Sequence, residues 1–293
     1  MRWITANQTK KVEANVLSGI TSNELATLTT GSHQVRDGIS IKYVHLSNAG
    51  APRIALVHSL AMDHKFWLPV IKELGKTAEV VAIDCRGHGT SDKAAGPYNL
   101  ELFANDVADV LEHLDWDKSL IAGASLGGAV ALQYALNYPD RTSALGLIDT
   151  TSCYGPTASD DWAKRAQAAR TKGLESMTEF QQSRWFSDKF RKENPDIVQF
   201  CVDTFIANDL DAYAATCHML GGFDLRDRLI ELAMPTAVIV GEEDYATPLE
   251  MAEVLHKGIA GSTLEVIKDG RHLTPLECPA LIADRLLTLA RKA

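Results

Sequence analysis

The chain has 293 residues, 46% of them hydrophobic and 23% charged, the balance of a globular protein and not of a disordered or fibrous one. A formal net charge of −9 gives no support to nucleic-acid or anionic-membrane partners, while leaving room for a local basic pocket facing an acidic small molecule. The cysteines, Cys85, Cys153, Cys201, Cys217 and Cys278, form no C-x-x-C pair and no Cys/His cluster at zinc spacing, so they read as small buried hydrophobes and no metal site is expected.

Residues 1–31 read as a polar, weakly helical extension outside the main fold. They lack an apolar core of signal-peptide length, and no later segment has the roughly 18 to 20 apolar residues of a membrane span, which predicts a reduced, cytoplasmic protein. From His33 the pattern becomes strand-like: residues 39–46 alternate behind a turn at Asp37-Gly38, and residues 53–58 are a continuous apolar strand. Helical and strand patterns then alternate: residues 67–74 helix, 79–84 strand, 100–114 helix, 119–122 strand, 126–138 helix and 144–149 strand. The rhythm breaks over residues 153–232, where charged and aromatic residues run in helical patterns with no obvious strand. It resumes with strand 236–241, helix 249–258, strand 263–267 and a closing amphipathic helix, 279–290. Short, fully apolar strands separated by helices predict an α/β fold with a mostly parallel, doubly wound sheet. The expected organisation is an extension (1–31), a core (32–152 and 233–293) and a helical cap (153–232) inserted before the late strands.

Gly123-Ala124-Ser125-Leu126-Gly127 spells G-x-S-x-G between an apolar strand and a helix, the setting of a nucleophile elbow. A serine hydroxyl needs a base within hydrogen-bond reach and an acid to orient that base. His272 follows strand 263–267 through Asp269-Gly270-Arg271, and Asp244 follows strand 236–241. In a parallel sheet the carboxyl ends of strands share one edge, so these three side chains can meet there. Glu242, Glu243 and Asp224 are rival acids, lying on the strand end or inside the insertion. Acyl transfer also needs two oxyanion donors: the N–H of Leu126, directly after the serine, and the N–H of Leu60, in the loop after strand 53–58. The segment from Asp84 to Ser91 packs acid, base and hydroxyl groups into one turn. Adjacent residues seldom form a triad, so it reads as loop-holding structure.

These features resemble the α/β-hydrolase superfamily. The similarity runs from about His33 to the C-terminus and includes the loop after His58, D-x-R-G-H-G-x-S from Asp84, the Ser125 elbow, Asp244, and His272-x-x-x-x-Glu277-x-Pro279. The order Ser, Asp, His is also that of the superfamily. Within it the chain is most similar to the 3-oxoadipate enol-lactonase group, through Ser59-Leu60, Arg184-Trp185-Phe186, residues 211–215 and residues 235–248; Ser59 stands where glycine usually follows the histidine. The resemblance implies hydrolysis of a small, acidic, five-membered enol-lactone in aromatic catabolism, with no cofactor or metal. Ser59, Arg184 and Trp185 are the implied substrate contacts, Arg184 being the candidate partner for a substrate carboxylate. A general carboxylesterase, an amidase or another lactonase, such as one for acyl-homoserine lactones, remains open, as does a ligand receptor built on the same fold. Homo-oligomerisation is left open as well.

Overall fold

Five runs, Arg53–Val57, Glu79–Ile83, Ser119–Ala124, Thr142–Ile148 and Thr236–Gly241, are short and almost wholly buried, so each must be covered on both faces. The computed structural model describes residues 28–292 and arranges these runs as the centre of an eight-stranded sheet. The strands are β1 (Leu28–Gln34), β2 (Ser40–Leu46), β3 (Arg53–Val57), β4 (Glu79–Ile83), β5 (Ser119–Ala124), β6 (Thr142–Ile148), β7 (Thr236–Gly241) and β8 (Thr263–Ile267), in the order β1-β2-β4-β3-β5-β6-β7-β8. The pairs β1/β2 and β2/β4 are antiparallel and all others parallel. The mostly parallel, helix-flanked sheet with a helical insertion is the architecture the alternating pattern predicts.

Strand β1 starts at Leu28, inside the stretch read from sequence as an extension ending at Gly31. Its residues, LTTGSHQ, show little apolar alternation because β1 is an edge strand with one side open to solvent. Gly31 is needed there: a Cβ would lie 2.4 Å from the ring of Tyr43 on β2. The remainder of the proposed extension, residues 1–27, lies outside the described residues.

Helices α1 (Leu68–Leu74), α2 (Leu100–His113), α3 (Leu126–Asn137) and the later α11 (Pro279–Ala290) flank the sheet, α1 packing with α11 and α2 with α3. Helix α3 has no polar face at all, residues 126–136 being buried, because it runs between the sheet and α2. The insertion supplies α4 (Ala158–Lys172), α5 (Thr178–Trp185), α6 (Asp188–Glu193), α7 (Pro195–Ile206) and α8 (Leu210–Gly222). Its two ends are pinned together where Cys153 bridges Asp224 and where Leu225 N–H donates to the Ser152 carbonyl at 2.9 Å. After β7 come α9 (Leu249–Gly258), β8 and the short α10 (Thr274–Glu277).

The segment after β4 is structural, as its sequence suggests. Asp84, fully buried, accepts from His64 N–H (2.6 Å), His64 Nδ1 (2.8 Å) and the N–H and hydroxyl of Thr90 (2.8 and 2.9 Å). Arg86 forks onto Asp106 at 2.7 and 2.6 Å. Burial alone would raise the Asp84 carboxyl, but His64 and the Thr90 donor outweigh it and hold it well below the usual carboxylate range. A carboxyl depressed in the folded state adds stability above its unfolded value of 3.8, and that stability is lost as pH falls through the folded value. Acid unfolding should therefore show Asp84: as pH falls from about 4 to about 2 the wild type should lose more of its Tm than Asp84→Asn, which starts lower but has no such proton to take up. Parallel Tm-against-pH curves for the two proteins would count against that role.

Candidate active site

The turn between β5 and α3 leaves no room for side chains beside the serine. A Cβ on Gly123 would lie 2.0 Å from the Gly127 carbonyl oxygen, and one on Gly127 would lie 2.0 Å from that of Val57. Ser125 itself sits at φ 55°, ψ −116°, a left-handed conformation that costs a non-glycine residue about 1–3 kcal/mol and is tolerated where the surroundings enforce it. They do so here: Ser125 N–H donates to Ile148 O at 2.9 Å, and Thr150 Oγ1 donates to Ser125 O at 2.7 Å. The hydroxyl is thereby raised above the sheet edge instead of capping α3, with which it makes no side-chain bond.

The loops after β7 and β8 meet it. Ser125 Oγ lies 2.9 Å from His272 Nε2, and His272 Nδ1 lies 2.8 and 3.0 Å from the two carboxylate oxygens of Asp244. Asp244 also accepts from the N–H groups of Ala246 (2.8 Å) and Thr247 (2.9 Å) and from the Thr247 hydroxyl (2.8 Å). Burial alone would raise this carboxyl, yet His272 and those donors outweigh it, so it stands below its ordinary range and remains an acceptor. With the carboxylate fixing the proton on Nδ1, Nε2 is left to accept from Ser125. The rival acids are elsewhere: Glu243 pairs with Arg271 at 3.2 Å, Asp224 with Arg226 at 2.6 Å, and Glu242 accepts from Asp269 N–H at 3.1 Å.

Sequence reasoning passed over Asp149, which follows β6 and is fully buried. It accepts from Gly241 N–H (3.1 Å) at the end of β7 and from the N–H and hydroxyl of Thr274 (3.0 and 2.6 Å), two residues past His272. Burial, reinforced by the neighbouring charge of Asp244, holds its carboxyl well above the ordinary range. Asp149 thus ties together the loops that carry the acid and the base.

Ser125 and His272 open into a cavity of about 120 Å³ between the sheet edge and the cap, lined also by Ser59, Leu60, Arg184 and Trp185. Leu126 opens α3, so its N–H has no intrahelical acceptor. Leu60 N–H donates to no protein acceptor among the described residues. A larger cleft, about 580 Å³, lies between α1, α6 and the loop after β8, but no triad residue lines it.

The same cavity contains a second arginine that sequence reasoning missed. Arg165 on α4 lines it beside Tyr154, Trp162 and Gln181. Its Nε donates to the Tyr213 hydroxyl at 2.7 Å and its guanidinium lies 5.1 Å from the Trp162 ring centre, but it has no carboxylate partner among the described residues. Arg184 donates to the Tyr245 carbonyl and stacks 5.2 Å over Phe180, likewise without a carboxylate. Burial, then repulsion from Arg165, lowers the Arg184 pKa, whereas at Arg165 burial is outweighed by Tyr213 and Cys217, which raise it. Gln181, 3% exposed, has an amide nitrogen with no partner. The signal for Arg165 was available in the sequence: Trp162, Arg165, Ala166 and Ala169 follow the 3-4-7 spacing of one helix face, with a cation where an apolar residue is expected.

The comparisons agree with this geometry. A family model described as the alpha/beta hydrolase fold matches residues 52–197. The chain belongs to the α/β-hydrolase superfamily and carries its Ser-His-Asp arrangement, which fits ester or lactone hydrolysis. It is 31% identical over 229 residues to 3-oxoadipate enol-lactonase 1 of Acinetobacter baylyi, covering 78% of this chain and 85% of that protein. Among solved structures, the enol-lactonase from Burkholderia xenovorans LB400 superposes with a TM-score of 0.84 at 27% identity, over 89% of this chain and 100% of the other. A thermophilic esterase from Thermogutta terrifontis gives 0.82 at 27% identity, over 90% and 98%.

Proposed function

We propose that the protein is a cofactor-independent serine hydrolase that opens a small lactone bearing a carboxylate, of the 3-oxoadipate enol-lactone type, through an acyl-enzyme. The observation that carries the acidic substrate is the convergence of Arg165, Arg184 and the unpartnered Gln181 amide on the cavity that holds Ser125. Two guanidinium groups without carboxylate partners on one small cavity suit an anion held between them. The similarity to enol-lactonases over most of both chains supports the same reading.

In the reaction, His272 Nε2 takes the Ser125 proton as Oγ attacks the lactone carbonyl, and Asp244 stabilises the resulting imidazolium. The N–H groups of Leu60 and Leu126 hold the oxyanion. Collapse breaks the ring C–O bond, and the His272 proton passes to the departing oxygen, leaving the opened chain esterified to Ser125. His272 then activates water, which releases the second carboxylate and restores the serine. Ser59 and Trp185 line the same cavity as substrate contacts, and the cap, residues 153–232, set on a core formed by the flanking segments, excludes bulk water from it. Such an enzyme would work in the cytosol on a small molecule, in the breakdown of aromatic compounds.

The test is a panel of lactones and p-nitrophenyl esters in matched acidic and neutral pairs. Acidic lactones should show the highest kcat/KM, and Arg184→Ala should raise KM for them several-fold while sparing the neutral members. A general carboxylesterase, the reading favoured by similarity to the Thermogutta esterase, would rank the neutral esters first. A ligand receptor would show one slow turnover in place of steady hydrolysis.

A further inference from the structure

The loop after β3 carries Leu60, and its shape is unusual for its residues. Met62 N–H donates to the Ser59 carbonyl at 3.1 Å, closing a tight turn over Ser59, Leu60, Ala61 and Met62. The third residue, Ala61, is fully buried at φ 60°. Glycine takes that conformation freely, whereas a residue with a Cβ is disfavoured there by about 1–2 kcal/mol. Other contacts must hold the turn, and two residues do so.

His58 is one of them. Its Nε2 lies 3.0 Å from Cys85 N–H and must accept from it, so Nδ1 carries the proton and donates to the Ser59 carbonyl at 2.8 Å. Because the peptide is planar and trans, a fixed Ser59 carbonyl fixes the Leu60 N–H in the opposite direction. The second is Asn208, which comes from the link between α7 and α8 in the cap. Its side-chain amide donates to the Ala61 carbonyl at 2.9 Å, across 147 residues of sequence, and also to the carbonyls of Thr204 (2.8 Å) and Phe205 (3.2 Å). Three carbonyls around one NH2 group determine which way the amide faces, since its oxygen could not replace the nitrogen there.

We propose that Asn208 is a positioning residue for the oxyanion hole. By holding the Ala61 carbonyl it keeps the turn in the form that directs Leu60 N–H into the cavity, so the seating of the cap sets the geometry of one oxyanion donor. The inference rests on the hydrolase reading, with Leu60 as that donor. Without the amide, Ala61 is free to leave the left-handed region and the Met62–Ser59 bond opens, which leaves His58 alone on the Ser59 carbonyl and lets the Leu60 N–H tilt out of line.

The experiment compares wild type with Asn208→Ala, Ala61→Gly and the double variant. It reads Tm, kcat and KM on the best ester of the panel, and affinity for a trifluoromethyl ketone that binds serine as an oxyanion-bearing adduct. Complete removal of an oxyanion donor costs about 10²–10³ in kcat, so its misplacement in Asn208→Ala should cost about tenfold. Affinity for the ketone should fall in parallel, with KM within about threefold, a split that general loosening of the fold would not produce. Ala61→Gly removes the conformational penalty, so the double variant should recover to within about threefold of Ala61→Gly alone. That comparison also serves if Asn208→Ala by itself does not fold. A kcat for Asn208→Ala within twofold of wild type, or a double variant still tenfold below Ala61→Gly, would overturn the proposal. Wild type that neither turns over any ester nor reacts with a fluorophosphonate would overturn the hydrolase reading and this inference with it. Normal labelling alongside an unaffected Asn208→Ala would overturn this inference alone.

Discussion

Ser125→Ala should reduce kcat by at least about 10⁴-fold while leaving the protein folded. In the proposed mechanism the serine oxygen forms the acyl bond, and Nε2 of the base, 2.9 Å away, bonds no second hydroxyl among the described residues, so the loss falls on the chemical step. The fold should be spared because the Ser125 side chain makes no capping bond to α3, and the bonds that hold the elbow, to Ile148 O and from Thr150 Oγ1, use the Ser125 backbone. Alanine at φ 55° carries about the same conformational cost as serine. Tm should therefore move by no more than about 2 °C, and KM should change little. Labelling by a fluorophosphonate should disappear. Folded Ser125→Ala that retains turnover within tenfold of wild type would refute the nucleophile.

Replacing Arg165 by methionine should raise KM for acidic lactones by about 10- to 100-fold. Hydrogen bonds between charged partners contribute about 1.5–3 kcal/mol, which corresponds to that range. Methionine fills much of the same space between Trp162 and Tyr213 and so limits any cavity effect, but the Tyr213 hydroxyl loses its 2.7 Å partner, and a Tm lower by a few degrees is expected. For neutral esters of equal size KM should stay within about threefold, because no anion meets the missing cation. Arg165→Lys should fall between the two, keeping the charge but losing the planar fork. Equal losses for acidic and neutral substrates would remove the anion cradle, even if hydrolysis itself stands.

The two variants separate two layers of the site. Ser125 tests whether the chain performs acyl transfer, and Arg165 tests what the substrate carries. The Arg165 result is the more informative about specificity, because the triad is shared by superfamily members while the proposed role of this cation on α4 is to meet the ligand.

The elbow was legible in the sequence because its requirements are local: glycines where neighbouring backbone approaches within 2.0 Å of a missing Cβ, an apolar strand before and an apolar helix after. Asp244 and His272 were legible because parallel strands end on one edge, so a position just past a strand is already a position in space. The central strands showed themselves as unbroken apolar runs, a consequence of burial on both faces. Strand β1 did not, because an edge strand keeps polar residues on its open side, and four of its residues were assigned from sequence to the extension.

Other features had no local signature strong enough to be read. Arg165 was visible only as an anomaly in a helix that also carries exposed cations, and its convergence with Arg184 depends on how α4 and α5 fold over the sheet. Asp149 and Asn208 act through backbone groups 92, 125 and 147 residues away, and sequence spacing does not encode such contacts. The amino-acid sequence by itself determined the layered sheet, the serine elbow and the chain order of the residues that meet it, because periodicity, glycine sterics and strand polarity act within a few residues. Tertiary structure alone decided where the cap's cations and amides point, because long-range packing sets those directions.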